Sequence, residues 1–147
     1  MDINLEAIRA FFAADRFAAL VGVTIDAVGE DGVECGMAIT ADHFNSTGGV
    51  QGGAIFTLAD LTFAVHSNLC LLRGEAVGVT VGQSCAISYF KSPKGSRLIA
   101  RSTCLSHGKT MSVYRIEVMD DLGNAIAEMH GNGFTTGKKP RTSSTQG

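Results

Sequence analysis

A glycine-rich loop that runs into an apolar segment with a single acid is the part of this 147-residue chain best suited to chemistry. From His43 to Asn68 the residues read HFNSTGGVQGGAIFTLADLTFAVHSN, with the pairs Gly48-Gly49 and Gly52-Gly53 ahead of Asp60. The first backbone N–H groups of a helix have no carbonyl partner inside it, and glycine leaves them sterically open. Such donors suit an oxygen on which negative charge develops. Asp60 supplies the complementary group. The segment from Ala54 to Leu72 is apolar on nearly every side, which predicts a helix wrapped by other structure, and an acid there suits a nucleophile or a general base. The same pattern also fits a tight turn followed by an acid at a wet helix edge.

The flanking sequence predicts the elements that hold this stretch. Leu5 to Phe17 has the spacing of an amphipathic helix, with Leu5, Ile8 and Phe12 on one side and Glu6, Arg9 and Asp15 on the other. Val21 to Val28 and Val33 to Ile39 alternate as strands around a Glu30-Asp31-Gly32 turn, and residues 41–53 form the functional loop. Arg73-Gly74-Glu75 ends the long helix, and a strand follows over Ala76 to Phe90, where Gly78 and Gly82 mark a bulge or a close backbone approach. After the Ser92-Pro93-Lys94-Gly95 turn come strands over Arg97–Ser106, Met111–Met119 and Ala125–Phe134, joined by His107-Gly108-Lys109 and by the turn at 120–124. Helix, hairpin, long helix and four antiparallel strands make an α+β domain over residues 1–135. Residues 136–147 are polar and without periodicity, and a disordered tail is expected there.

Composition removes several functions. A net charge of −2 with 18% charged residues provides no basic field for nucleic acid. The four cysteines form no C-x-x-C pair and are expected as reduced thiols, three of them packed as small hydrophobes. The N-terminus carries early acids and helical spacing, unlike a signal peptide, and the apolar segment around Asp60 is interrupted by polar residues, unlike a membrane span. A cytoplasmic protein is expected. The four histidines show no metal-ligand spacing, there is no G-x-S-x-G elbow, and Gly131-Asn132-Gly133 sits in a strand with no helix after it. Neither metal nor dinucleotide is expected. The chain is also short for an enzyme with an enclosed pocket, which points to oligomerisation.

Asn45, Gln51-Gly52-Gly53, Leu58-Ala59-Asp60 and Phe63-Ala64, in that order, resemble the signature of the PaaI-type hotdog thioesterases, small acyl-CoA hydrolases. In that family a loop Asn is followed by His-Gly-Gly, and an acid lies nine positions after the His. Here Gln51 stands at the His position. The resemblance continues through Gly78-Val79-Thr80, Ile87-Ser88-Tyr89, Ser92-Pro93 and Gly108-Lys109-Thr110, covering residues 20 to 135.

The resemblance implies a hotdog fold, a curled antiparallel sheet wrapped around one long central helix. It implies hydrolysis of an aryl or short- to medium-chain acyl-CoA to the free acid and CoA, with no cofactor beyond the CoA of the substrate. The Gly52 N–H would polarise the thioester carbonyl, while Asp60 attacks it or deprotonates water. Asn45 would help hold the water or carbonyl, Thr80 would orient the water, and Gln51 would bind the thioester region or brace the loop. Gly53 and Gly108 would contact the substrate, and Lys91, Lys94 and Lys109 would meet the CoA phosphates. Gly52 and Asp60 are about 12 Å apart along a helix, too far to serve one carbonyl. The family combines two chains, so a homodimer assembled into a homotetramer is expected. Two other readings stay open: a hotdog hydratase or dehydratase, whose chemistry generally wants the His that Gln51 replaces, and a non-catalytic acyl-CoA-binding protein.

Overall fold

The structure, a computed structural model, describes residues 3–141. Two short helices come first, α1 (Leu5–Phe12) and α2 (Arg16–Val21). The single helix predicted over Leu5–Phe17 is divided because Asp15 starts a second one: its Oδ1 accepts the Ala18 N–H at 3.0 Å. Gly22, at φ 95°, closes α2 in the left-handed conformation that glycine adopts without penalty. Strands β1 (Val23–Gly29) and β2 (Gly32–Ala38) form the expected hairpin.

The central helix α3 spans Gly52–Ser67, and α4 (Leu69–Leu72) follows at once. α3 therefore starts earlier and stops earlier than the predicted Ala54–Leu72. Gln51 caps the start. At the other end Asn68 leaves helical geometry and turns its side chain to the next strand, accepting the Thr80 N–H at 2.8 Å and donating to the Thr80 carbonyl at 3.0 Å. A side-chain amide thus pairs with a backbone as another strand would, tying the end of α3 to the start of β3 (Thr80–Tyr89). β3 begins later than the predicted Ala76.

β4 (Arg97–His107), β5 (Met111–Asp120) and β6 (Ala125–Thr135) complete one antiparallel sheet in the order β1-β2-β4-β5-β6-β3. α3 packs against all six strands, and its Leu58, Ala59, Phe63 and Val65 are buried with Leu98, Ala100, Ile116 and Met129 of the sheet. This is the hotdog arrangement.

Glycines in β6 set how closely the sheet approaches α3. A Cβ on Gly131 would stand 3.0 Å from Phe63 Cδ2, and one on Gly133 would stand 3.3 Å from Phe63 Cζ. Gly131-Asn132-Gly133 is a cradle for this ring, whose edge also meets Tyr114 at 5.6 Å between centroids. Opposite, the β3–β6 register slips between Gly82 and Ser84, the bulge that Gly82 suggested. The extra residue changes which positions face inward: Thr80 and the bare Gly82 do so before it, and Cys85 and Ile87 after it, with half-exposed Tyr89 on that side reaching Gly52.

Beyond β6 the chain stays attached where a loose tail was expected. Thr136 donates its N–H to the Val79 carbonyl at 2.9 Å, and the Lys138 carbonyl accepts the Val79 N–H at 2.9 Å. A Cβ on Gly78 would collide with the Thr136 carbonyl, so the close approach anticipated at Gly78 is to this segment. The rest of the expected tail, 142–147, lies outside the described residues.

Candidate active site

The loop ahead of α3 is held by its own polar groups. Asn45 Oδ1 accepts from the Thr47 N–H at 3.0 Å, the Thr47 hydroxyl at 2.8 Å and the Gly49 N–H at 3.1 Å. Its oxygen is therefore committed to loop closure, and only Nδ2 is left for a ligand. His43 anchors the loop from below. It is buried, its Nδ1 accepts the Thr40 N–H at 3.1 Å, and its Nε2 donates to the Val21 carbonyl at 2.6 Å. The only local signal in the sequence for this anchoring role of His43 is Thr40, three residues before it, in a capping pattern.

Gln51 donates its N–H to the His43 carbonyl at 2.7 Å, while its side-chain Oε1 accepts the Gly53 N–H at 2.7 Å. Gln51 is thus the N-cap of α3 and braces the loop, one of the two roles foreseen for it. The Gly53 N–H is consumed by that cap, which removes its backbone donor from the substrate role expected of it. The Gly52 N–H has no hydrogen-bond partner among the described residues. Tyr89 fixes the other side of this peptide: its hydroxyl donates to the Gly52 carbonyl at 2.9 Å, and a Cβ on Gly52 would stand 3.2 Å from Tyr89 Cζ. The sequence placed Tyr89 in a strand without assigning it this contact, because the bulge that turns it inward is tertiary. Beside Gly52 lies a cavity of about 350 Å³ bounded by Ile55, Tyr89, Phe90, Lys91 and Ser92.

Asp60 is exposed in the chain, on a helix whose neighbouring Ala59 and Leu61 are buried. The expectation that it is enclosed fails for the single chain: α3 leaves this one position of its middle uncovered. Protein atoms still crowd the carboxyl. That partial burial is the larger cause holding it above the ordinary carboxylate value, and the Asp15 carboxylate is the second. Asp60 also adds to the rise of the Cys85 thiol, after burial, so it faces the middle of β3. No hydrogen bond joins it to Thr80, whose hydroxyl shares a 2.8 Å bond with Thr135 and whose N–H is held by Asn68.

Of the other expected substrate contacts, Lys91 borders the Gly52 cavity. Lys94 lies in the following turn, which is fastened by Asp120. This buried carboxylate accepts the N–H groups of Lys94, Gly95, Leu122 and Asn124 and the Asn124 side chain, at 2.8 to 3.2 Å. Burial alone would raise its carboxyl, but those hydrogen bonds, the Asn124 side chain foremost, outweigh burial and hold it well below the usual range. Gly108 and Lys109 sit at the β4–β5 hairpin, beside the Thr135 end of β6, where the Thr110 carbonyl accepts the Thr135 N–H at 2.7 Å. Within one chain they are a full strand length, about 30 Å, from Gly52 and Lys91. The fold does not bring these two groups together.

His66 lies nearly two turns beyond Asp60, against Ser102 at 2.7 Å. Burial, then Arg73 and His107, pushes its pKa down to about 4, so it is neutral at pH 7. Among the described residues no three His, Cys, Asp or Glu side chains gather as metal ligands would, and no helix is long and apolar enough to cross a membrane.

A curled six-stranded sheet around one helix, with an open backbone donor at the helix start and an acid on the same helix, defines a hotdog-fold protein of the thioesterase class. The family model of the thioesterase superfamily matches residues 47–127, and the chain belongs to that superfamily. A putative esterase of Deinococcus radiodurans is 36% identical over 106 residues, covering 71% of this chain and 68% of its own. The acyl-coenzyme A thioesterase PaaI of Escherichia coli is 28% identical over 130 residues, 88% of this chain and 89% of that one. The structure of the E. coli PaaI protein from the phenylacetic acid degradation operon superposes with a TM-score of 0.79 at 25% identity, covering 90% of this chain and 92% of that chain.

Proposed function

We propose that this protein hydrolyses acyl-CoA thioesters at a site completed by a second copy of the chain. The observation that carries the reading is the separation of a free Gly52 N–H from an open, crowded Asp60 on the same helix. Eight residues at 1.5 Å each put them about 12 Å apart, so each needs a partner from elsewhere. The edge of the sheet supports where that partner docks. Among the described residues β3 pairs only with β6, and Val81, Tyr89 and Phe90 beside it are 45%, 49% and 56% exposed. A long edge of unpaired backbone groups is a template for another strand. Antiparallel pairing of two β3 edges about a two-fold axis lays the Tyr89 end of one beside the Thr80 end of the other. It carries Asp60 and Thr80 of each chain towards Gly52 of its mate, and Gly108 and Lys109 towards Lys91 and Lys94. A tetramer would be two such pairs.

The Gly52 N–H then donates to the thioester carbonyl as it becomes an oxyanion. Asp60, held above its ordinary value, is the better base for it. It takes a proton from water as the water oxygen bonds to the carbonyl carbon, and returns it as the C–S bond breaks and CoA leaves as the thiol. Asn45 Nδ2 is placed to hold the water or carbonyl. The reaction draws on no metal or cofactor, and the four unbonded cysteines suit a reducing compartment such as the cytoplasm.

The test is subunit complementation, read by thiol release from acyl-CoA. Asp60→Asn is nearly isosteric and lowers turnover at least about a thousandfold. Gly52→Pro deletes the donor at the first helical position, which proline favours; Gln51 at φ −58° and ψ 129° already has the extended backbone required before proline, and the new Cβ, 3.2 Å from Tyr89 Cζ, asks the half-exposed Tyr89 ring to shift slightly. Each variant alone is inactive. Mixed and re-associated one to one, half the dimers are hybrids with one intact site of two, so about a quarter of wild-type activity returns. No recovery from hybrids shown by mass spectrometry to have formed refutes the shared site.

A further inference from the structure

We propose that the groove between the two N-terminal helices, β1 and Leu61 of α3 receives the acyl group, and that Phe12, Ala13 and Ala19 set the length it accepts. The inference rests on the thioesterase reading above and extends it to specificity. The groove holds about 220 Å³ and is walled by Phe12, Ala13, Ala18, Ala19, Ile25 and Leu61. Its lining is mostly apolar, and the alanines at the end of α1 and on α2 are what leave it open.

Its position ties it to the acid. Leu61, in its floor, is the residue after Asp60, and Asp15, on its rim, is near enough to act on the Asp60 carboxyl. A carbonyl set against Asp60 therefore has this groove beside it for the carbon chain. Asp15 and Arg9 are the charged groups among its lining residues. Arg9 is held against the wall by bonds from its Nε to the Ile25 carbonyl at 2.9 Å and from its Nη1 to Glu6 at 2.8 Å. Of the lining residues only Leu61 lies within residues 47–127, the stretch matched by the superfamily. Gly52 and Asp60 lie within the matched stretch, whereas every lining residue of the groove but Leu61 precedes it.

The volume sets the substrate class. A void of about 150 Å³ holds a benzene ring, so this groove suits an acyl group on the order of six to eight carbons and has no room for a long straight chain. Each buried methylene should add about fourfold to kcat/KM until the groove is full. Acetyl-, hexanoyl- and palmitoyl-CoA are the probes. Four methylenes separate hexanoyl- from acetyl-CoA, so in the wild type the preference for hexanoyl-CoA is between about tenfold and an upper limit of about 250-fold, and palmitoyl-CoA gains nothing further. Ala19→Phe fills the groove and lowers the hexanoyl-to-acetyl ratio about tenfold. Phe12→Ala lengthens it and moves the optimum to octanoyl- or decanoyl-CoA. Turnover with ratios and optimum unchanged in both variants overturns the groove assignment and leaves the thioesterase reading standing. A wild type that releases thiol from none of these substrates overturns both.

Discussion

Replacing Gln51 separates a structural cap from a catalytic contact. Gln51→Ala removes the 2.7 Å bond from the Gly53 N–H, leaving one more donor of the α3 first turn to water. For an N-cap this costs about 1 kcal/mol, which in a domain of this size lowers Tm by about 3 °C. Gly52 itself should stay in place. The Gln51 N–H still reaches the His43 carbonyl and Tyr89 still holds the Gly52 carbonyl, neither through the Gln51 side chain. The expected change in kcat/KM is therefore within about fivefold, equivalent to about 1 kcal/mol in the barrier. Gln51→Ser, a preferred capping type, recovers most of the lost Tm. The assays are thermal denaturation at fixed protein concentration and steady-state thiol release on one acyl-CoA. A fall in kcat/KM beyond about thirtyfold with Tm unaltered would refute the reasoning, because the side chain would then be touching substrate through Nε2 rather than holding the helix.

Two further predictions concern carboxylates. Asp15→Asn keeps a good capping residue for α2 but removes the charge that contributes, after burial, to the raised Asp60 carboxyl. The acid limb of the kcat/KM profile should move to lower pH, and a limb that stays put or moves upward counts against Asp60 as the base. Asp120 and Asp121 are both depressed, Asp120 by hydrogen bonds that outweigh burial and Asp121 first by the Ser96 hydroxyl. Groups depressed in the folded state add stability that is complete above the ordinary carboxylate pKa of about 4 and is lost as pH falls through the folded value. Asp120→Asn should melt several degrees lower at pH 7, with the difference shrinking in acid. A constant difference across that range would mean that the charge is not what fastens the 92–97 turn.

Much of this protein is local in origin and so was present in the amino-acid order. The helix around Asp60, the β1–β2 hairpin and the succession of later strands follow from periodicity and turn residues, which act over a few neighbours. The ordered residues from Asn45 to Phe63 carried the family. What needed the tertiary structure were facts about partners distant in sequence. Asn68 ends α3 because Thr80 offers its backbone, and nothing within a helical turn announces that. Gly131 is small because Phe63 lies on it, and Gly133 because Ser112, Thr80 and the tip of Phe63 crowd it, although alone they read as an incomplete nucleotide motif. The bulge after Gly82 turns Tyr89 onto Gly52, and one extra residue in a strand reverses every side chain beyond it. Asp60 looked enclosed because its neighbours in sequence are apolar, yet it is exposed. Hydrophobic pattern reports that a helix is covered, and only the packing decides which of its positions the single chain leaves open.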